Sequence, residues 1–284
     1  MSSNLPVVVY TNQSGLKSFK IMAKDMWHDL KASRGLAWRL MVRDISAHYR
    51  QSLLGIFWAF LPPLVTAMVF ILLNNRRIIN IEQTSIPYPV FAIVGTVLWQ
   101  IFVYSFNAPL RVVNASKSML TKINFPREAL ILSSMGQTFF DAGIKVVLLV
   151  AVLVICKVQF TWGVFFAPTA LLILILLGIT CGLLLTPLGL LYTDISHGLT
   201  IVTTAWFFLT PVVYPLPARL PFSLIAILNP VSSILAGVRD LATDGIVHNP
   251  IAFLTVSFLT LFFLIVALII YRLAMPIVVE RISA

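Results

Sequence analysis

Charged residues are scarce in this chain of 284 residues, and acidic residues are scarcer than basic ones. Only 11% of the residues are charged, whereas 59% are hydrophobic; soluble proteins have about 25% charged residues. A soluble protein of this length would need many more charged side chains to cover its surface. A disordered chain is excluded as well, because 20 Phe and 6 Trp residues make this one strongly apolar. The composition therefore predicts a membrane protein with several spans.

Motifs for catalysis and for nucleotide binding are also missing. No Gly is followed by Lys, so the sequence lacks the phosphate-binding loop with which many ATPases hold ATP. The patterns His-Glu-x-x-His, Cys-x-x-Cys and Gly-x-Ser-x-Gly do not occur, and the four histidines are scattered. We therefore predict no catalytic, cofactor or metal site in this chain. If the protein moves a substrate against a gradient, an ion gradient or another subunit must supply the energy.

Long stretches without charge predict six membrane-spanning helices, because a helix needs about 20 apolar residues to cross the hydrocarbon core. The third is the exception, since Asp141 and Lys145 interrupt it. The predicted spans cover residues 54–73, 88–107, 130–156, 165–191, 199–216 and 251–274. The predicted fold is therefore an all-α transmembrane domain over residues 51–284, preceded by a cytoplasmic segment, residues 1–50.

The Lys and Arg residues predict the orientation of this domain. Most of the 20 fall in the N-terminal segment, in the connection between the second and third spans, and near the C-terminus. Basic residues concentrate in cytoplasmic loops, so both termini are predicted to face the cytoplasm. The net charge of +10 is then a signal of topology, and nucleic-acid binding is not needed to explain it.

The spacing of apolar and basic residues over 18–50 predicts a basic amphipathic helix that lies in the cytoplasmic membrane interface. Apolar residues such as Phe19 and Met26 recur at helical spacing with Lys and Arg between them. Trp27 and Trp38 favour the interface, because indole rings prefer the depth of the headgroups. A solvated helix that packs on the rest of the protein is the alternative interpretation.

The composition of the segment between the fifth and sixth spans predicts short re-entrant helices over residues 222–247. It is almost wholly apolar up to residue 238, but Pro217, Pro221 and Pro230 divide it into pieces too short to span easily. Such helices are tolerated at membrane depth where protein surrounds them. One additional span is the alternative, and it would place the C-terminus outside.

Two groups of side chains within the spans have open interpretations. Asp141 and Lys145 are spaced to share one helix face, either as a neutral structural pair or as a proton relay. Aromatic side chains are dense in the first, second and fifth spans, and aromatic faces stack on sugar rings, although core and membrane-belt roles are more common. The candidates for a glycan path are Trp58, Trp99, Phe102, Tyr104, Phe207 and Tyr214.

Residues 43–58 resemble the start of the first span in ABC-type polysaccharide export permeases, which include O-antigen, capsule and teichoic-acid exporters. In that family an Arg-Asp pair, a Tyr-Arg/Lys step, a Leu-Gly and a Trp precede a Pro, here Pro62. The same order of elements is present here as Arg43-Asp44, Tyr49-Arg50, Leu54-Gly55 and Trp58. The chain is most similar to the O-antigen group.

Further similarities to this family run from about residue 27 to residue 245. One departure is Thr193, where relatives often carry Arg before the Asp. The matching motifs are Trp99-Gln100-x-Phe102, Asn124-Phe125-Pro126-Arg127-Glu128, Tyr192-Thr193-Asp194-Ile195, Thr210-Pro211-Val212-Val213-Tyr214, Asn229-Pro230 and Arg239-Asp240.

The resemblance implies a homodimer of six-span subunits with two separate ATP-binding subunits, to which ATP and Mg would bind. It implies export of a lipid-linked polysaccharide across the bacterial inner membrane. The segment 112–125 would couple to the ATPase, and residues 222–247 would form a gate in the outer leaflet. A membrane enzyme acting on lipid-linked sugars and an ion-coupled flippase remain the alternatives.

The same resemblance assigns candidate residues to these roles. Arg binds phosphate oxygens bidentately, and two of the candidates for the lipid diphosphate are arginines. The diphosphate candidates are Arg43, Tyr49 and Arg50, and ordinary anchoring by cytoplasmic positive charge is the alternative interpretation. The coupling candidates are Ser116, Lys117, Met119 and Leu120, and the gate candidates are Asn229, Pro230 and Arg239.

Overall fold

The computed structural model describes residues 26, 28–50, 55–79, 81, 84, 86–123, 125–158, 161–216 and 222–283. All regular structure within these ranges is helical, which confirms the predicted fold class. A 3-10 turn, Trp162–Phe166, precedes α6. The helices are α1 (Arg34–Arg50), α2 (Phe57–Asn75), α3 (Tyr88–Ala115), α4 (Lys117–Lys122), α5 (Glu128–Ile155), α6 (Ala167–Leu191), α7 (Thr193–Leu209), α8 (Phe222–Leu228), α9 (Pro230–Thr243) and α10 (Pro250–Ser283).

Five of the helices in the described ranges are long and apolar enough to cross a membrane, namely α2, α3, α5, α10, and α6 with its preceding turn. The predicted fifth span, 199–216, corresponds to α7, which starts at Thr193 and ends at Leu209 because a turn containing Pro211 follows. Its 17 residues extend about 25 Å at 1.5 Å per residue, somewhat less than a hydrocarbon core of about 30 Å. The count of six spans, like the domain boundary at residue 50, remains a prediction.

Helices α3 and α6 form the centre of the bundle because glycines let their backbones touch. A Cβ atom at Gly178 or Gly182 would overlap α3, the second of them at the carbonyl oxygen of Phe106. Close approach through small residues is the usual way in which helices associate in membranes. The most apolar windows of these two spans are 72% and 61% buried, against 11% for α2 and α10, which therefore lie at the periphery.

An ion-pair network joins the N-terminal segment, α5 and α10 at one end of the bundle, which we call the basal end. Arg272 of α10 pairs with Asp29 at 2.6 Å and with Glu128 of α5 at 3.0 Å. The Tyr271 hydroxyl donates a long hydrogen bond, 3.4 Å, to the Arg127 carbonyl oxygen. The described N-terminal residues and the last turns of α10 therefore lie at the same end of the molecule.

The opposite end, which we call the gate end, contains residues 210–216 and 222–249. There the 3-10 turn before α6 contacts the loop after α9, since a Cβ at Gly163 would overlap Gly245. Near this end, a Cβ at Gly95 of α3 would overlap the carbonyl oxygen of Val212. Helix α7 thus carries the chain from the basal end toward the gate end, and α10 returns it.

The predicted N-terminal amphipathic helix corresponds, in its described part, to residues 28–50, with a turn at Ser33; residues 18–25 and Trp27 lie outside the described residues. Helix α1 packs along α5 with Ala37 and Leu40 buried, while Trp38 is 65% exposed. One face of α1 therefore packs on protein, and its indole points away from it.

The segment predicted to be re-entrant contains α8 and α9, of 7 and 14 residues. Neither helix has the roughly 20 residues that a membrane crossing requires. An additional span in this segment is therefore not present among the described residues. Its depth in a membrane remains a prediction.

Replacing Gly182 with Ala should lower the thermal stability of the purified protein, because the new Cβ overlaps a backbone atom of α3. Over-packing of this kind costs about 1–3 kcal/mol. The measurement is the temperature at which the detergent-solubilised protein loses its size-exclusion peak. Gly143→Ala is the matched control, since nothing lies within 4 Å of a Cβ there. Equal losses in the two variants would contradict the close contact of α3 with α6.

Candidate gate and coupling sites

Asn229 is the centre of a hydrogen-bond network that ties α9 to the end of α7. It caps α9, with Pro230 in the first helical position, and its side-chain oxygen accepts a 3.1 Å bond from the Val231 backbone N–H. The same oxygen accepts a 3.0 Å bond from the Trp206 indole, and the amide donates a 2.8 Å bond to the Thr210 hydroxyl. Asn229 is buried, so protein groups and not solvent satisfy it.

Arg239 holds the middle of α9 against α3 and the turn after α7. Its guanidinium lies over the Phe91 ring, 3.8 Å from the centroid, and donates 3.4 Å bonds to the carbonyl oxygens of Pro211 and Val212. Burial lowers the pKa of Arg239 to about 10, so it remains charged at neutral pH. The predicted gate residues Asn229, Pro230 and Arg239 therefore come together around residues 210–212, although their role as a gate remains a prediction.

Three ionisable side chains, Asp240, Asp244 and His248, lie close together at the end of α9 and in the loop after it. His248 Nδ1 lies 2.9 Å from Asp240 Oδ2, and this hydrogen bond raises the pKa of the exposed imidazole. Asp244 completes a group whose possible ligand atoms lie within 4.8 Å of one another. Gly245, with a φ of 79°, makes the turn that brings His248 back. Sequence analysis missed this group, although Asp, Asp and His at four-residue spacing was its signal.

Two of the predicted glycan-path residues lie inside a cluster of aromatic rings between α3 and α7. Trp99 and Phe102 are 4% and 0% exposed, and their ring centroids are 5.4 Å apart. Trp99 also contacts Phe207 at 5.8 Å, and Phe102 contacts Trp206 at 5.4 Å. Because Trp99 and Phe102 are closed off by protein, a solute cannot reach them in this conformation.

The other predicted path residues are more accessible. Trp58 on α2 is 53% exposed, whereas Phe207, Tyr214 and Tyr104 are half-buried. The Tyr214 hydroxyl donates a 2.7 Å bond to a backbone carbonyl, that of Phe208. Contact with a glycan remains a prediction for all of them.

The candidates for binding the diphosphate lie at the end of α1. Arg43 pairs with Asp44 at 2.7 Å, and its side chain is 50% exposed. Arg50 is exposed at the last residue of the helix. The side chain of Tyr49 lies outside the described residues. The structure therefore places two basic groups on α1, one of which already has an acidic partner.

The predicted coupling segment, 112–125, contains the end of α3 and the short helix α4. Ser116 and Leu120 are buried, 1% and 7% exposed, and Met119 is half-buried, so these three residues anchor α4 to the bundle. Helix α10 also packs against α4. The outer face of α4 is polar. Its exposed residues are Lys117, Ser118, Thr121 and Lys122.

Several helices long enough to span a membrane, with a short polar helix between two of them, define a multi-pass membrane protein. Residues 36–243 match the ABC-2 type transporter family, and the chain belongs to this family. Transport, and not catalysis, is thus its class of activity, and it works in a membrane with an ATP-binding subunit.

Two known proteins are similar in sequence to this chain over about three quarters of its length. The O-antigen export system permease protein RfbA of Myxococcus xanthus is 29% identical over 214 residues, which are 74% of this chain and 81% of that protein. The protein of the same name from Klebsiella pneumoniae is 26% identical over 228 residues, 76% of this chain and 85% of that protein. The resemblance to polysaccharide export permeases of the O-antigen group is confirmed.

Asn229→Ala should destabilise the protein by about 1–3 kcal/mol, because the Trp206 indole and the Thr210 hydroxyl lose a buried partner. The stability of the purified protein in a thermal melt is the measurement. Asn249→Ala is the control, since Asn249 accepts a bond from the Ala252 N–H at the exposed start of α10 and joins no such network. A loss no larger than that of the control would show that Asn229 acts only as a helix cap.

Proposed function

We propose that this chain is the transmembrane subunit of an ATP-driven exporter that moves a lipid-linked, O-antigen-like polysaccharide across the bacterial inner membrane. The observation that carries the proposal is the similarity to two O-antigen export permeases over about three quarters of the chain. In this proposal the chain forms a homodimer, and two separate ATP-binding subunits hydrolyse ATP with their own Mg.

The shape of α4 supports its role as the contact with the ATP-binding subunit. Leu120 is buried while Lys117 and Lys122 are exposed, so the helix presents a polar, basic surface from an anchored base. Only Ser116 separates α4 from α3. Because that linker is a single buried residue, a displacement of α4 is transmitted directly to α3, the most buried of the candidate spans.

The exposed face of α7 supports a path for glycan between two copies of the chain. His197, Thr200 and Thr204 are exposed and spaced three and four residues apart, which places them on one face of the helix. Polar side chains in a membrane-embedded helix usually face protein or a water-filled cavity, not lipid. Helix α2 contacts α7 through Phe70 and Phe207, and Trp58 of α2 is exposed.

The position of the basic residues supports a cytoplasmic location of the basal end and of both termini. Arg272, α4 with its two lysines, and the described N-terminal helix lie at this end. Cytoplasmic loops are rich in Lys and Arg. The gate end, with α8 and α9, would then face the outer leaflet.

Co-expression with an ABC-type ATP-binding protein from the same genome tests this proposal. The two proteins should co-purify, hydrolyse ATP together and restore surface glycan in a strain that lacks the permease. The chain alone should not hydrolyse ATP. Restoration that needs no ATPase and follows the proton gradient, lost in Asp141→Asn, would identify an ion-coupled flippase. Chemical modification of a lipid-linked sugar by the chain alone would identify an enzyme.

Reversing both charges of α4, in the variant Lys117→Glu/Lys122→Glu, should reduce export at least about tenfold, since a loss of 1.4 kcal/mol of docking free energy is already tenfold. The matched control is Arg76→Glu, which reverses an exposed charge beyond the end of α2. Surface glycan and ATP hydrolysis are measured in parallel. Normal export by the double variant would show that the ATPase docks elsewhere.

A further inference from the structure

Charged side chains from α1, α3 and α5 meet in a cluster that has no part in the coupling and gate sites. Two cations lie over the aromatic ring of Tyr104 on α3. The Arg111 guanidinium carbon is 4.2 Å from the ring centroid, and Lys145 Nζ is 5.2 Å from it. Lys145 in turn forms a 2.6 Å ion pair with Asp141, and both side chains are almost fully buried.

The carboxylates near this cluster already have partners. Asp141 is paired with Lys145, as its four-residue spacing predicts. Asp44 on α1 is paired with Arg43 at 2.7 Å and accepts a 3.0 Å bond from Gln137 of α5. Among the residues that the structure describes, this leaves Arg111 without a carboxylate of its own. The cluster therefore has an excess of positive charge.

The position of Arg111 near the basal end of α3 indicates which kind of anion can neutralise this excess positive charge. Arg111 belongs to the last turns of α3, which ends at Ala115, so its Cα lies about 6 Å along the helix axis from that end. Its guanidinium extends back to the ring of Tyr104. The Arg111 side chain is exposed, whereas Lys145 lies deeper and is buried. Basic groups between helices on the cytoplasmic side of a membrane protein are typical binding points for lipid phosphates.

The arrangement of Arg111, Tyr104 and Lys145 suits the binding of a phosphate group. The cation–π contact with Tyr104 restrains the guanidinium of Arg111, so less conformational freedom is lost when a ligand binds. A guanidinium held in this way presents two parallel N–H donors, which match two phosphate oxygens. Lys145 adds positive potential close to the same ring.

We propose that Arg111, positioned by Tyr104 and supported by Lys145, binds the phosphate group of a membrane lipid at the basal end of the protein. A bulk anionic phospholipid and a polyprenyl diphosphate carrier share this chemistry. Only the second of these sources rests on the exporter function proposed above. Arg111 lies on α3, whereas the diphosphate candidates Arg43 and Arg50 lie on α1.

Binding of three probes to the purified full-length chain in detergent tests the site: dioctanoyl phosphatidic acid, a short polyprenyl diphosphate and inorganic phosphate. Arg111→Gln should raise the Kd of at least one lipid probe about tenfold, and Arg111→Lys should fall between it and the unaltered chain because it keeps the charge and loses the planar donors. Raising the salt concentration should weaken lipid binding to the unaltered chain more than to Arg111→Gln.

Arg281→Gln is the matched control, because Arg281 is exposed near the end of α10 and its loss changes the charge equally. A tenfold loss for phosphatidic acid identifies a phospholipid site, and a loss confined to the polyprenyl probe identifies the carrier. Equal affinities of Arg111→Gln and Arg281→Gln for both lipid probes, or tighter binding of inorganic phosphate than of either lipid, overturn the proposal. The assay involves no ATP hydrolysis and no export, so its failure leaves the exporter function to be judged separately.

Discussion

The contact between the backbones of α3 and α6 is the constraint on which the rest of this molecule depends. It exists because Gly178 and Gly182 leave no Cβ between the helices. Without water in a hydrocarbon core, helices gain their association from close packing and not from the burial of apolar surface. This contact makes α3 a fixed central element, and the other spans take their places around it.

Helix α3 connects the two candidate sites because of its length. Its 28 residues extend about 42 Å at 1.5 Å per residue. Phe91 and Gly95 contact the gate segment near one end, and α4 follows directly at the other. A displacement of α4 by a bound ATPase would therefore move a helix whose far end touches Arg239 and the turn after α7. Trp99 and Phe102 also belong to α3, between these two ends.

Several buried or half-buried polar side chains join two elements through close partners. Asn229 uses its amide to join α9 to α7, and Arg272 joins α10 to the N-terminal segment and α5. Lys145 and Asp141 neutralise each other within α5. An unpaired polar group at such positions would cost several kcal/mol. Arg111 differs from them because it is exposed, and this difference led to the proposed lipid site.

The sequence by itself determined the long apolar helices and the broken helices after Pro221, because both depend on local composition and on proline. The short helix Lys117–Lys122 lies in a segment that only the resemblance to a known family singled out. The sequence did not determine the end of α7, where Pro211 stops the helix before the predicted span is complete. Only the tertiary structure decided that Trp99 is buried while Trp58 is exposed, since both are aromatic residues within apolar helices. It also decided that Lys145 and Arg111 share the ring of Tyr104, because that meeting depends on how α3 and α5 pack and not on the sequence of either helix.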